Sequence, residues 1–146
     1  MKLFREGRRI LGCISVLLLL GGCGGAELEC DSSDSRKSVV RIVSDDDNNA
    51  LVNYAVKNSS SVATMVGDAK SEAEKSAIWE KARRAAVYTL DETIRLTSRN
   101  RATQAVSCTG LLSVTVADTT AQKEIEFKVE QTTDGAIIVS VSPFLF

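Results

Sequence analysis

The sequence has 146 residues and no histidine. That removes the commonest catalytic base and the commonest metal ligand. Aromatic residues make up only 5% of the chain, which leaves little material for platforms that stack bases or sugars. There is no Gly-x-Ser-x-Gly turn, no glycine-rich phosphate loop and no Cys-x-x-Cys pair. A nucleophile elbow, a phosphate cradle and a catalytic dithiol therefore have no sequence basis. No apolar run reaches the roughly 20 residues that a membrane-spanning helix needs. Charge is close to balanced, with a formal net of −1, so the basic surplus that nucleic-acid binding depends on is missing too.

What is present is concentrated at the start. Lys2, Arg5, Arg8 and Arg9 form a basic head, Ile10 to Leu20 an apolar run, and Leu20-Gly21-Gly22-Cys23 follows. Basic head, short apolar stretch and small-residue cleavage site are the parts of an export signal. With a branched aliphatic residue, two small residues and then cysteine, the segment resembles the signal of the bacterial lipoprotein precursor class. The resemblance ends near Gly25. It implies cleavage of the Gly22–Cys23 bond, a diacylglyceryl thioether on Cys23 and acylation of the new amino terminus, as in palmitate-bearing lipoproteins. Two or more acyl chains hold a protein stably at a membrane, where one holds it marginally. Gly24 stands where sorted lipoproteins retained in the inner membrane carry aspartate. The resemblance therefore implies an outer-membrane anchor with the domain facing the periplasm.

The expected organisation is residues 1–22 as signal peptide, 23–29 as lipidated tether and 30–146 as a single α+β periplasmic domain. Removing residues 1–22 takes away four of the 18 Lys and Arg and one of the 19 Asp and Glu, leaving 124 residues at net −4. With Cys23 lipidated and Cys13 discarded, Cys30 and Cys108 remain. Two cysteines in an oxidising compartment read as one disulfide.

Ser32, Ser33 and Asp34 are helix-capping residues ahead of Val39, Val40, Ile42 and Val43, and Leu51, Tyr54 and Ala55 continue the spacing. One amphipathic helix is expected over 34–56, with a break at Ser44–Asn49 or a strand at 38–43 as alternatives. Asn58–Ser61 reads as a loop. A second helix is expected from Ala69 to Ala86, capped by Asp68, with Ala73, Ala77, Ile78, Ala82 and Ala85 as its packing stripe and Trp79 at a core edge. From Leu90 the period becomes two: Leu90, Ile94 and Leu96, interrupted by Glu92; Val106, Cys108, Leu112, Val114 and Val116; Ile125, Phe127 and Val129; Ile137, Val139 and Val141. Expected connections are Ser98–Thr103, Asp118–Gln122 and a tight turn at Asp134-Gly135. The expected fold is thus α+β, two N-terminal helices packed on a four-stranded antiparallel meander. Cys108 shares parity with Val106 and should face the helices, so that its bridge to Cys30 pins the start of the first helix to the sheet.

Asp45-x-Asp47-x-Asn49 has the opening spacing of a calcium loop, but Ala50 and Val56 stand where that loop needs glycine and glutamate, which leaves a solvated acidic segment. Glu72, Glu74, Glu80, Asp91 and Glu92 are candidates for a hydrolytic carboxylate pair, weighed against ion pairing with Lys75, Lys81, Arg83 and Arg84. Arg95, Arg99 and Arg101 form a basic cluster and the candidate partner contact. Strict alternation places them opposite Ile94 and Leu96. The sequence therefore predicts no enzyme, no catalytic residue, no metal or other cofactor, and no nucleic acid as partner. It predicts a membrane-anchored envelope lipoprotein that binds another envelope protein. The alternative is an exclusion or inhibitor lipoprotein acting on conjugation, phage entry or a wall-degrading enzyme.

Overall fold

The structure, a computed structural model, describes residues 27–46 and 49–143. Four helices precede five strands, so the class is α+β, with two more helices and one more strand than expected. Helix α1 runs Ser33–Ser44, with Ser32 as N-cap accepting from the Ser35 amide and Asp34 complementing the first turn. Its buried residues Ser35, Val39 and Val43 are spaced by four, one stripe of a helix. Helix α2 runs Ala50–Asn58. The junction between them is made by Asn49. Its side chain accepts from the Leu51 amide at 2.9 Å and donates to the Val43 carbonyl at 3.0 Å. One buried amide thus closes the end of α1 and opens α2. The single 34–56 helix is broken here, because the cap satisfies backbone groups that a continuous helix would have paired internally.

Helix α3, Ser60–Gly67, occupies part of a segment read as loop. Ser59 ends α2 and also caps α3, accepting from the Val62 amide at 3.2 Å. Helix α4, Glu72–Arg84, starts at Ser71 rather than Asp68, which instead closes α3. Ser71 accepts from the Glu74 amide, and the Glu74 carboxylate accepts from the Lys70 amide. Of the alanine stripe expected for this helix only Ala82 is buried; Ala73, Ala77 and Ala85 are exposed, and Ile78 and Trp79 supply the remaining contact with the core.

Strands β1 Val87–Leu90 and β2 Arg95–Asn100 lie end to end along one side of β3, Ala105–Val116. They replace the single first strand of the expected meander. The break falls around Glu92, where the Asp91 carboxylate accepts from the Thr93 amide at 2.9 Å and turns the chain. β3 pairs along its other side with β4, Thr119–Gln131, and β4 pairs with β5, Ile137–Val141. The β3–β4 connection is two residues, Ala117 and Asp118, with Ala117 at φ +50, so the Thr119–Gln122 segment read as loop is strand. The turn at Asp134-Gly135 is present, with Gly135 at φ +87.

Helix α1 contacts both β1 and β5, which lie on opposite sides of the β3–β4 pair, so the sheet curls around the helices. α2 packs on β3 and β4, and α3 and α4 pack on each other beside it. The core is formed by Val39, Val43, Leu51, Val52 and Val56 against Val106, Leu112, Val114, Ile125 and Phe127. Gly110 marks a close approach within it. A Cβ there would lie 3.1 Å from Leu90 Cδ1 and 3.4 Å from Ile94 Cγ1. Gly110→Ala is therefore expected to destabilise by about 1–3 kcal/mol through overpacking, measured by urea unfolding.

Candidate functional site: the two ends of the curled sheet

The predicted disulfide is formed. Cys30 and Cys108 are joined across a Cα–Cα distance of 5.9 Å and 78 positions of sequence. Both cysteines are buried, and Cys108 faces the helices with Val106 and Leu112. The bridge holds the residues just ahead of α1 against the first third of β3. Cys23 lies outside the described residues.

The three arginines are not brought to one face. Arg95 is in register with Thr109, and Leu96 with Cys108. The register then shifts between Leu96 and Ser98, which places Arg99 opposite Val106. Val106 and Cys108 are two residues apart and share a face, so Arg99 shares the face of Leu96 instead of opposing it. The extra residue of a bulge reverses parity from that point onward. Arg95 is left on the outer face, in an ion pair with Glu124 on β4. Arg99 pairs with Glu27 at 3.0 Å, and its guanidinium donates to the Leu28 carbonyl at 3.4 Å. Arg101 stands at the tip of the β2–β3 hairpin and forms no ion pair among the described residues.

These contacts give the molecule a near end, where Glu27 and Leu28 dock, and a far end. Glu27 and Leu28 meet the start of β3 through Arg99. Together with Arg101, Gln104 and Gln131 they line an open cavity of about 400 Å³. The β4–β5 hairpin reaches the same end, because the Gln131 amide donates to the Gln104 carbonyl at 2.9 Å. Asp134, at that second tip, accepts from the Thr132 hydroxyl, which holds its carboxyl below the usual range. The far end holds the β3–β4 turn, the start of β1 and the α2–α3 junction. At about 3.3 Å per residue, the 12 residues of β3 separate the two ends by roughly 35 Å.

At the far end Asp118 is the tie between turn and helices. Ser59 donates its hydroxyl to the Asp118 carboxylate, and the Ser61 amide donates to the same oxygen at 3.3 Å. The hydrogen bond from Ser59, followed by the backbone donors, holds the Asp118 carboxyl below the usual carboxylate range. A carboxyl lowered on folding stabilises the protein above its unfolded pKa, about 3.9, and that contribution disappears as pH falls through the folded value. Asp118→Asn is accordingly expected to be less stable than the parent at pH 7, with the gap closing as the pH is lowered below about 4. Thermal unfolding across pH 2–8 measures this, and a constant gap would refute the assignment.

Four of the other sequence candidates, Asn49, Glu72, Glu74 and Asp91, have structural roles. Asn49 of the calcium-like spacing is a buried helix cap; Asp47 lies outside the described residues. Glu72 pairs with Lys75 at 2.7 Å, Glu74 caps α4, and Asp91 makes its turn. Sequence reasoning passed over Tyr88, which lines a cavity of about 350 Å³ with Asp46, Glu80 and Arg83. Burial, reinforced by the Asp46 carboxylate, raises its hydroxyl pKa above the usual tyrosine value. Its half-buried place on β1, beside α4, is visible only once those elements are packed. Among the described residues, no group of three or more His, Cys, Asp or Glu is arranged to hold a metal ion, and no helix is long and apolar enough to cross a membrane. No protein-family model, curated protein or solved structure matches the chain.

Proposed function

We propose that the chain is an outer-membrane lipoprotein, anchored through Cys23, whose non-enzymatic domain binds another envelope protein from the periplasmic side. The observation that carries this is the Leu20-Gly21-Gly22-Cys23 box behind a basic head and a short apolar run. The Cys30–Cys108 bridge supports the exported half of the reading, since such bonds persist in oxidising compartments. Two surfaces suit a protein partner. The outer face of the sheet, over Ser113, Gln122, Glu124 and Glu126, carries no helix among the described residues. β5 pairs only with β4 among the described residues, so its free edge offers backbone groups for strand addition.

The experiment is in-cell photocrosslinking from the outer face and from β5, read by mass spectrometry, beside a Cys23→Ser control. The parent should take up labelled palmitate and fractionate with membranes, while Cys23→Ser should remain an unprocessed precursor or a soluble protein. A stable envelope-protein adduct is the expected product. Normal processing of Cys23→Ser would overturn the anchor. Adducts confined to phage or conjugation components would instead support the exclusion alternative.

A further inference from the structure

We propose that the groove between α1 and the free edge of β1 binds an acidic, extended segment of a partner protein. Arg36, Lys37 and Arg41 meet its carboxylates, and the Tyr88 backbone adds it to the sheet. This surface is separate from the outer sheet face and from β5, and it does not depend on acylation of Cys23.

The first argument is charge. Arg36, Lys37, Val40 and Arg41 of α1 face Tyr88 and Leu90 of β1 across an open groove of about 550 Å³. No acid lines this groove among the described residues, and none of its three cations forms an ion pair with one of them. The acids of the same elements lie off it. Asp34 and Asp45 stand at the two ends of α1, Asp46 lines the neighbouring cavity with Arg83, and Asp91 accepts from the Thr93 amide. Lys37 and Arg41 are one helical turn apart and both exposed, so carboxylates arriving from outside reach them together.

The second argument is the strand edge. The Asp91 amide donates to the Leu111 carbonyl at 2.9 Å, which continues the register of β1 with β3. Hydrogen-bonded positions alternate along an antiparallel pair. Val87 and Thr89 are therefore bonded to β3, while Tyr88 and Leu90 turn their amide and carbonyl groups away from it. The Arg36 guanidinium donates to the Leu90 carbonyl at 2.7 Å, as that orientation requires. The Tyr88 amide and carbonyl and the Leu90 amide have no backbone partner among the described residues. An extended chain supplies donor and acceptor together at the spacing of a strand. A flat headgroup layer or a lone anion answers the charges but not the edge. Arg36 spends one bond on Leu90 and keeps further donors for a carboxylate.

The test uses the full-length protein as expressed, with its disulfide intact, and short labelled peptides in which valine alternates with glutamate, glutamine or lysine. Fluorescence anisotropy reads binding. The glutamate peptide should bind at least about tenfold more tightly than the glutamine peptide, and the lysine peptide should not bind. Lys37→Glu combined with Arg41→Glu should erase the preference for glutamate. Both side chains are exposed, so this variant keeps the fold, which thermal unfolding checks. N-methylation of the peptide amides on the glutamates alone or on the valines alone tests the edge: one set should abolish binding and the other should leave it intact. Equal binding of the glutamate and glutamine peptides, or a double variant that binds as the parent does, would overturn the proposal. Loss with both methylated sets, or with neither, would overturn strand addition. Binding to phosphatidylglycerol vesicles but not to the acidic peptide, lost in the same double variant, would assign the groove to lipid instead.

Discussion

Replacing Cys30 and Cys108 together by alanine is expected to cost about 2–5 kcal/mol of stability. The bridge closes a loop of 78 positions. Chain-entropy arithmetic for such a loop gives roughly 4.5 kcal/mol of restriction on the unfolded chain. A domain of this size has a total of only about 5–15 kcal/mol, so the loss is a large share of the whole. For roughly 120 residues it corresponds to a fall in Tm on the order of 10–20 °C. Reductant should reproduce the effect in the parent and leave the double variant unmoved. Thiol counting before and after reduction checks the bond directly, with two additional sites expected after reduction. The variant should also loosen residues 27–32 locally, since Cys30 is what holds the residues ahead of α1 against β3.

Phe127→Ala is expected to cost about 3–5 kcal/mol. Phe127 is 2% exposed and heads the largest fully buried side chains. It sits on β4, in register with Cys108 on one side and Val141 on the other. Removing its ring takes away apolar burial and leaves a cavity in a sheet whose pairing to α1 and α2 limits collapse. Equilibrium urea unfolding measures the loss, with an unchanged m-value if only stability has altered. Because Phe127 stands opposite the disulfide, its cost and that of the cysteine replacement should not add. A double-mutant cycle should return a coupling of about 0.5–3 kcal/mol. Strict additivity would mean that the ring and the bridge stabilise separate parts of the domain.

The three long alternations of the C-terminal half were readable because their cause is local. Val106 to Val116, Ile125 to Val129 and Val139 to Val141 each repeat every two residues, and a strand with one covered face must repeat that way, while Ile137 at the start of β5 stays exposed. The pairing of Cys30 with Cys108 was readable by count, and the parity of Cys108 gave the correct face. The failures have equally specific causes. Thr119 and Thr120 have turn chemistry, yet they extend β4, because strand length is set by the partner strand. Asn58–Ser61 looked like loop because one residue, Ser59, both ends α2 and begins α3. The alanine stripe of α4 has the spacing of a packed face, but that helix meets the core only through Ile78, Trp79 and Ala82.

By itself the sequence determined the α+β class, the inward faces of β3 and β4, and the cysteine pair. Each rests on residue type and on periods read within one segment. Tertiary structure decided the curl of the sheet, the split of its first strand into β1 and β2, and the fate of the arginines. The last is the clearest instance: alternation places Arg95, Arg99 and Arg101 on one face, and a single register shift in pairing with β3 separates Arg95 from Arg99. Register is fixed by hydrogen bonds to a distant strand and by what each face can bury, and neither is contained in the spacing of one strand. The near end of the molecule likewise exists only after folding, when Glu27, Arg101 and Gln131, far apart in the chain, line one cavity at the end of the sheet.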